Sequence, residues 1–184
     1  MNYEAFYEKL FEHVITEYGS LDPKTRFHII GFDGGGPVNY RTIGSDTGEP
    51  YVTCVTCELA PRTEQKANNN GRYELLMTCD DENWCSSTLT DIAQMSLDVA
   101  FGHCHTLDML PWVGRDFPLQ AIVFEQFATV SFEGQSYGIM RCHGITRSEL
   151  DFARKHGSET LFARLKTAGI FPKTSIHRQS IDLK

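Results

Sequence analysis

Hydrophobic positions recur at three-and-four spacing in the first segment of the chain. Tyr3, Phe6, Tyr7, Leu10, Phe11, Val14, Ile15 and Tyr18 share one stripe, while Glu4, Glu8, Lys9, Glu12 and Glu17 fill much of the opposite face. That period predicts an amphipathic helix over residues 2–18, closed by a left-handed cap at Gly19. After a turn at Asp22-Pro23 the pattern shortens: Phe27, Ile29 and Phe32 alternate with His28, Ile30 and Gly31, as in a short strand. A second strand is expected from Val38 to Ile43. The run Tyr51 to Leu59 is rich in β-branched residues and has the length of a third.

Beyond a polar loop from Pro61 to Gly71, Tyr73 to Thr78 is apolar enough for a central strand. Asp80 to Asn83 reads as an acidic turn. A helix is expected from about Thr88 to Phe101, capped by Ser86 or Ser87 and ended by Gly102. Trp112 to Phe127 is apolar but irregular in pattern. Ala128 to Phe132 and Tyr137 to His143 then read as two strands of a hairpin turning at Glu133-Gly134-Gln135. Thr146-x-x-Glu149 is a capping-box pattern opening a helix through His156, which Gly157 closes. Ser158 can cap another helix, Glu159 to Ala168. The tail from Lys173 shows no strong period. No repeat or linker divides the chain, so the pattern predicts one domain of α/β type.

Composition narrows the function more than the fold. With 184 residues, 41% hydrophobic and 22% charged, the chain can bury a core without disulfides or metals to staple it. A net charge of −7 argues against non-specific nucleic-acid binding, which needs phosphate-neutralising Lys and Arg; it suits a basic partner instead. No run approaches the length of a membrane span. The first residues, MNYEAFYEKL, carry acids within their apolar pattern, unlike a secretion leader. A cytoplasmic protein with its six cysteines as free thiols is therefore expected.

Three places offer chemistry. Asp33-Gly34-Gly35-Gly36-Pro37 could cradle a phosphate, but no Lys is present and Pro37 removes an amide donor, so a sharp turn is the better reading. Cys54-x-x-Cys57 sits on a strand, where residues three apart face opposite ways and cannot share a metal. His103-Cys104-His105 is the candidate for zinc binding or for a cysteine nucleophile, with His103 and His105 on one side of an extended loop. The further ligands such a site needs (Cys79, Cys85, Cys142 and His143 are available) show no recognisable spacing. Neither a metal nor a cofactor is expected. For a partner surface the best position is the acidic turn of Asp80, Asp81 and Glu82 with the adjacent Trp84, because interface cores favour Trp anchors; packing of Trp84 onto the core is the competing reading.

The motifs together resemble a known family. YVTCVTCEL, GRYELLMTCDDE before a helix, the FGHCHTLDM loop, SYGIMRCHGITRSELDFARKHGSETLFARLKTAGIFP and a closing HRQSID are similar, in order, to the suppressor of fused domain, over about residues 27–182. The resemblance implies an α+β fold with a mixed, largely antiparallel sheet flanked by helices, and a non-enzymatic protein that binds other proteins. The animal member, a negative regulator of Hedgehog signalling, is longer and grips a transcription-factor peptide between this kind of domain and a second lobe. This chain resembles the single-domain bacterial type, for which the resemblance implies an immunity protein, here acting on a basic toxin. A zinc protein or hydrolase using the His103-Cys104-His105 loop, and a regulatory scaffold unrelated to toxins, are the competing readings.

Overall fold

The structure, a computed structural model, describes residues 2–19, 26–28, 38–43 and 51–183. The expected turn at Asp22-Pro23, the Asp33 to Pro37 loop and the loop from Gly44 to Pro50 lie outside the described residues.

Helix α1 (Tyr3–Tyr18) follows the three-and-four period and buries Phe6, Leu10, Phe11 and Val14. Asn2 caps it by accepting the Ala5 amide at 3.3 Å, and the Gly19 amide returns to the Ile15 carbonyl. Gly19 has a positive φ of 93° but an extended ψ, so the cap is not the left-handed one expected.

Eight strands among the described residues form one sheet: β1 (Arg26–His28), β2 (Val38–Ile43), β3 (Val52–Cys57), β4 (Arg72–Cys79), β5 (Thr106–Asp108), β6 (Leu119–Phe132), β7 (Gln135–Thr146) and β8 (Lys173–Thr174). Their order is β1-β2-β3-β4-β7-β6-β5, with β8 beside the far end of β4. β4 pairs in parallel with β7 and β8, and every other pairing is antiparallel. This is the mixed, largely antiparallel sheet that the resemblance implied.

Strand parity sorts the core. Cys54, Leu75, Met77 and Cys142 pack with Leu89 and Ile92 of α2 (Glu82–Met95) on one face. Val55, Cys57, Leu76 and Ile139 meet α1 on the other. Ala121, Val123 and Ile145 pack there beneath α4 (Arg147–His156) and α5 (Ser158–Thr167). Cys54 and Cys57 thus point to opposite sides, as strand geometry required.

Three expectations about element bounds need correction. α2 begins six residues before the expected Thr88, because Asp81 rather than Ser86 or Ser87 is its cap: Asp81 has extended backbone and accepts the Trp84 amide at 2.8 Å. The helix ends at Met95, well short of Gly102. Phe101 lies beyond it, stacked on Phe124 with centroids 4.6 Å apart. The hairpin is also longer than expected. β6 starts at Leu119, but register shifts between Leu119 and Ala121 and between Gln126 and Ala128 break the alternation that would have revealed it. By contrast, α4 opens on the expected capping box of Thr146 and Glu149. α5 starts one residue earlier than expected, and Ser158 makes no cap: its hydroxyl donates to the Cys104 carbonyl at 2.7 Å.

Candidate functional site

The loop between α2 and β5 carries His103, Cys104 and His105, but the structure does not group these three. Cys104 has φ 66°, a value unusual for a residue with a side chain, and this bend turns the loop toward α5. There His103, Cys104 and Glu159 bring one ligand-type atom each within 4.8 Å of one another. His105 turns back instead, its Nδ1 accepting the Gly102 amide at 3.2 Å. Glu159, at the start of α5, was missed because no spacing ties it to residue 103.

The hydrogen bonding of the trio decides its chemistry. Nδ1 of His103 accepts the Gln126 amide at 3.2 Å, so in the neutral ring the proton is on Nε2, which donates to Glu159 Oε1 at 2.7 Å. A metal on Nε2 would move that proton to Nδ1, facing the Gln126 N–H donor to donor. The hydrogen bonds from His103 and from the Cys104 thiol hold the Glu159 carboxyl below its ordinary range. Burial, with Glu159 next, pushes the Cys104 thiol up to about 11. A nucleophilic cysteine needs the opposite shift. The trio fits a polar clasp between the loop and α5 better than a metal centre or a nucleophile.

The acidic turn is largely engaged as well. Asp80 accepts the Ile176 amide at 2.9 Å and so anchors the C-terminal segment, while Asp81 caps α2. Trp84 is half-buried and stacks on Phe117, with centroids 5.9 Å apart. Phe117 in turn lines an open cleft of about 530 Å³, bordered by Arg115, Asp116, Arg147, Ser148 and Ser180. The short helix α3 (Leu110–Val113) carries Trp112, which is 56% exposed. Neither the cleft nor Trp112 was singled out from the sequence as a site.

Asp108, whose partner Arg147 also borders the cleft, holds several elements together. Its Oδ1 accepts the Leu110 amide at 3.1 Å, and its Oδ2 accepts Arg147 at 2.7 Å and Arg154 at 3.3 Å. Further in, His143 is fully buried against Phe171, and burial pushes its imidazole down to about 3. It stays neutral at any ordinary pH. Cys79, Cys85 and Cys142 are buried, and burial raises all three thiols, that of Cys79 to about 12.

No helix among the described residues is long and apolar enough to cross a membrane. The family model "Suppressor of fused protein (SUFU)" matches residues 34–179. No curated protein sequence matches the chain. Among solved structures, a SUFU homolog from Neisseria gonorrhoeae FA 1090 superposes with a TM-score of 0.68 at 15% identity, covering 98% of this chain and 99% of that one. The protein in a structure of the Sufu–Fu complex follows at 0.66 and 15%, covering 96% and 90%. Drosophila Suppressor of Fused gives 0.64 at 13% over 92% of this chain, which spans 49% of that longer protein. At these identities the likeness establishes the fold.

Proposed function

Since the chain belongs to the suppressor of fused family, we propose that it is a non-enzymatic protein-binding module whose partner is a basic toxin that it neutralises. The observation that carries the non-enzymatic part is the clasp: the best nucleophile-and-base candidates spend their protons on Glu159. A solved relative stands in complex with a protein, Fu, which supports binding as the mode of action. The −7 charge suits a basic partner, because complementary charge speeds association and favours the right complex.

For the contact region we take the strip from the Asp80, Asp81 and Glu82 turn through the Trp84–Phe117 stack to the cleft and Trp112. These residues combine acidic side chains with an exposed tryptophan, the composition of a protein-binding surface.

The test is co-expression with a toxin-like protein encoded beside this gene. A 1:1 complex and protection of the host are expected. A complex without protection removes the immunity role but keeps the binding module; neither complex nor protection overturns both. The zinc reading rests on the 4.8 Å grouping of His103, Cys104 and Glu159. Stoichiometric zinc in protein purified without a nickel column, lost in His103→Ala, would establish it.

A further inference from the structure

Charge is unevenly spread over the chain. Residues 147–178, which include α4, α5 and β8, hold seven Lys and Arg against three acids, a net +4 in a chain of net −7, so the remaining residues carry −11. Arg154, Lys155, Arg164 and Lys166 of the two helices are exposed. α1 has the opposite character. Glu4, Glu8 and Glu12 recur every four residues away from the buried Phe6, Leu10 and Val14, and Ile15, 44% exposed, adjoins them. None of the three glutamates forms an ion pair among the described residues, and Lys9, the one Lys or Arg of α1, donates to the Ser131 carbonyl instead. Like charges four apart on a helix repel, so the stripe costs α1 stability that its own surface does not return.

The two charged surfaces are neighbours. On β6, Ala121 and Val123 pack beneath α4 and α5, and Ala128 and Val130 beneath α1. The bulge between Gln126 and Ala128 shifts the alternation by one residue, which keeps both pairs on the same face of the sheet. Arg141 bridges the seam: it meets Glu17 of α1 at 2.6 Å and Glu125 at 2.7 Å, and Glu125 takes Lys166 of α5 at 3.3 Å. α2 covers the other face.

We propose that this face is a contact between two copies of the chain, the acidic side of α1 in each lying against the basic side of α4 and α5 in the other. A two-fold axis along the seam sets each acidic surface over the partner copy's basic one, so two equal contacts close a dimer. The remaining charge selects this occupant. A nucleic acid or an anionic membrane would meet the basic region but be repelled by the −11 carried elsewhere, which is felt over about 10 Å at ordinary salt. A second copy instead presents the two complementary surfaces side by side and at matching spacing. Because each copy carries −7, the association is weak and depends on close charge pairing. It uses neither the Asp80 to Trp84 turn nor Trp112, so it can fail while the toxin-binding reading holds, and the reverse.

The test is sedimentation velocity of the full chain over about a hundred-fold range of concentration, in about 20 and 500 mM salt, where charges are felt over roughly 20 and 4 Å. The sedimentation coefficient should climb toward that of a dimer at low salt, and the dissociation constant should rise about ten-fold or more at high salt. Glu8→Lys with Glu12→Lys, or Lys155→Glu with Arg164→Glu, should each weaken the dimer by about the same factor. All four substitutions together keep the net charge at −7 and exchange the signs of the two surfaces, so the dimer should return. Wild-type protein that stays monomeric at low salt overturns the proposal, whether or not it binds phosphatidylglycerol vesicles or duplex DNA. A dimer indifferent to either pair of reversals overturns it, as does a quadruple variant that associates no better than the pairs. Should a reversed variant not fold, Glu8→Gln with Glu12→Gln is measured instead, and an unchanged dissociation constant there overturns the proposal.

Discussion

Replacing Arg178 with methionine should destabilise the protein severely, for a reason visible in the geometry. Glu149 is fully buried and Arg178 is 8% exposed, and their carboxylate and guanidinium meet end-on through two bonds of 2.6 Å. The same carboxylate accepts the Thr146 and Ile181 amides at 2.8 and 3.1 Å, while Arg178 also donates to the Gly144 carbonyl at 3.0 Å. One ion pair thus ties the start of α4, the end of β7 and the C-terminal segment. Arg178→Met leaves a buried carboxylate without its countercharge, which costs about 3–5 kcal/mol. For a domain of this size that is a fall of roughly 6–20 °C in melting temperature. Glu149→Gln added to Arg178→Met removes the stranded charge and keeps a capping-box residue, so the double variant should recover part of the loss. Burial works to raise the Glu149 carboxyl, yet Arg178 and the two amides hold it below its ordinary value. The stability it contributes is complete above that ordinary value and is lost as pH falls through the lowered one. Thermal and urea unfolding of the two variants across pH 3–7 check this. A single variant melting within about 2 °C of wild type, or a double variant less stable than the single, would refute the reasoning.

Other substitutions probe separate parts of the fold. Gly71 sits at φ 96°, and a Cβ there would lie 1.9 Å from the Ser136 carbonyl oxygen; Gly71→Ala should cost on the order of 3 kcal/mol in urea unfolding, and an unchanged midpoint would contradict it. Asp81→Ala should lose about 1 kcal/mol with the α2 cap, whereas Asp81→Asn should keep most of it; equal losses in the two would remove the capping role. Labelling of native protein with a disulfide reagent should reach Cys104 first, slowly, and Cys79, Cys85 and Cys142 only on unfolding. Glu159→Gln should speed the Cys104 reaction, since Glu159 helps to keep the proton on sulfur; an unchanged rate would break that link.

What could be read from the sequence was local. The α1 stripe, the opposite facing of Cys54 and Cys57, and the Thr146–Glu149 box are each written within a few consecutive residues, and each stands in the structure. The α2 boundary was misread because an acidic cluster carries two meanings at once. Asp81 caps while Asp80 anchors a segment nearly a hundred residues away, and serines further on look like better caps. The β6 strand was hidden by its bulges, which shift the alternation that signals a strand. Most opaque were the pairings across the chain. Glu159 lies 56 residues from His103, and Arg178 sits in a tail with no period, yet these two set the chemistry of the loop and the anchoring of the C-terminal segment. Sequence proximity made His103, Cys104 and His105 look like one site. The fold separates His105 from the other two and supplies an acid that accepts hydrogen bonds from both. A dense run of ligand-type residues is therefore a reason to ask where their protons go, because that assignment, more than their spacing, separates a catalytic or metal-binding loop from a structural one.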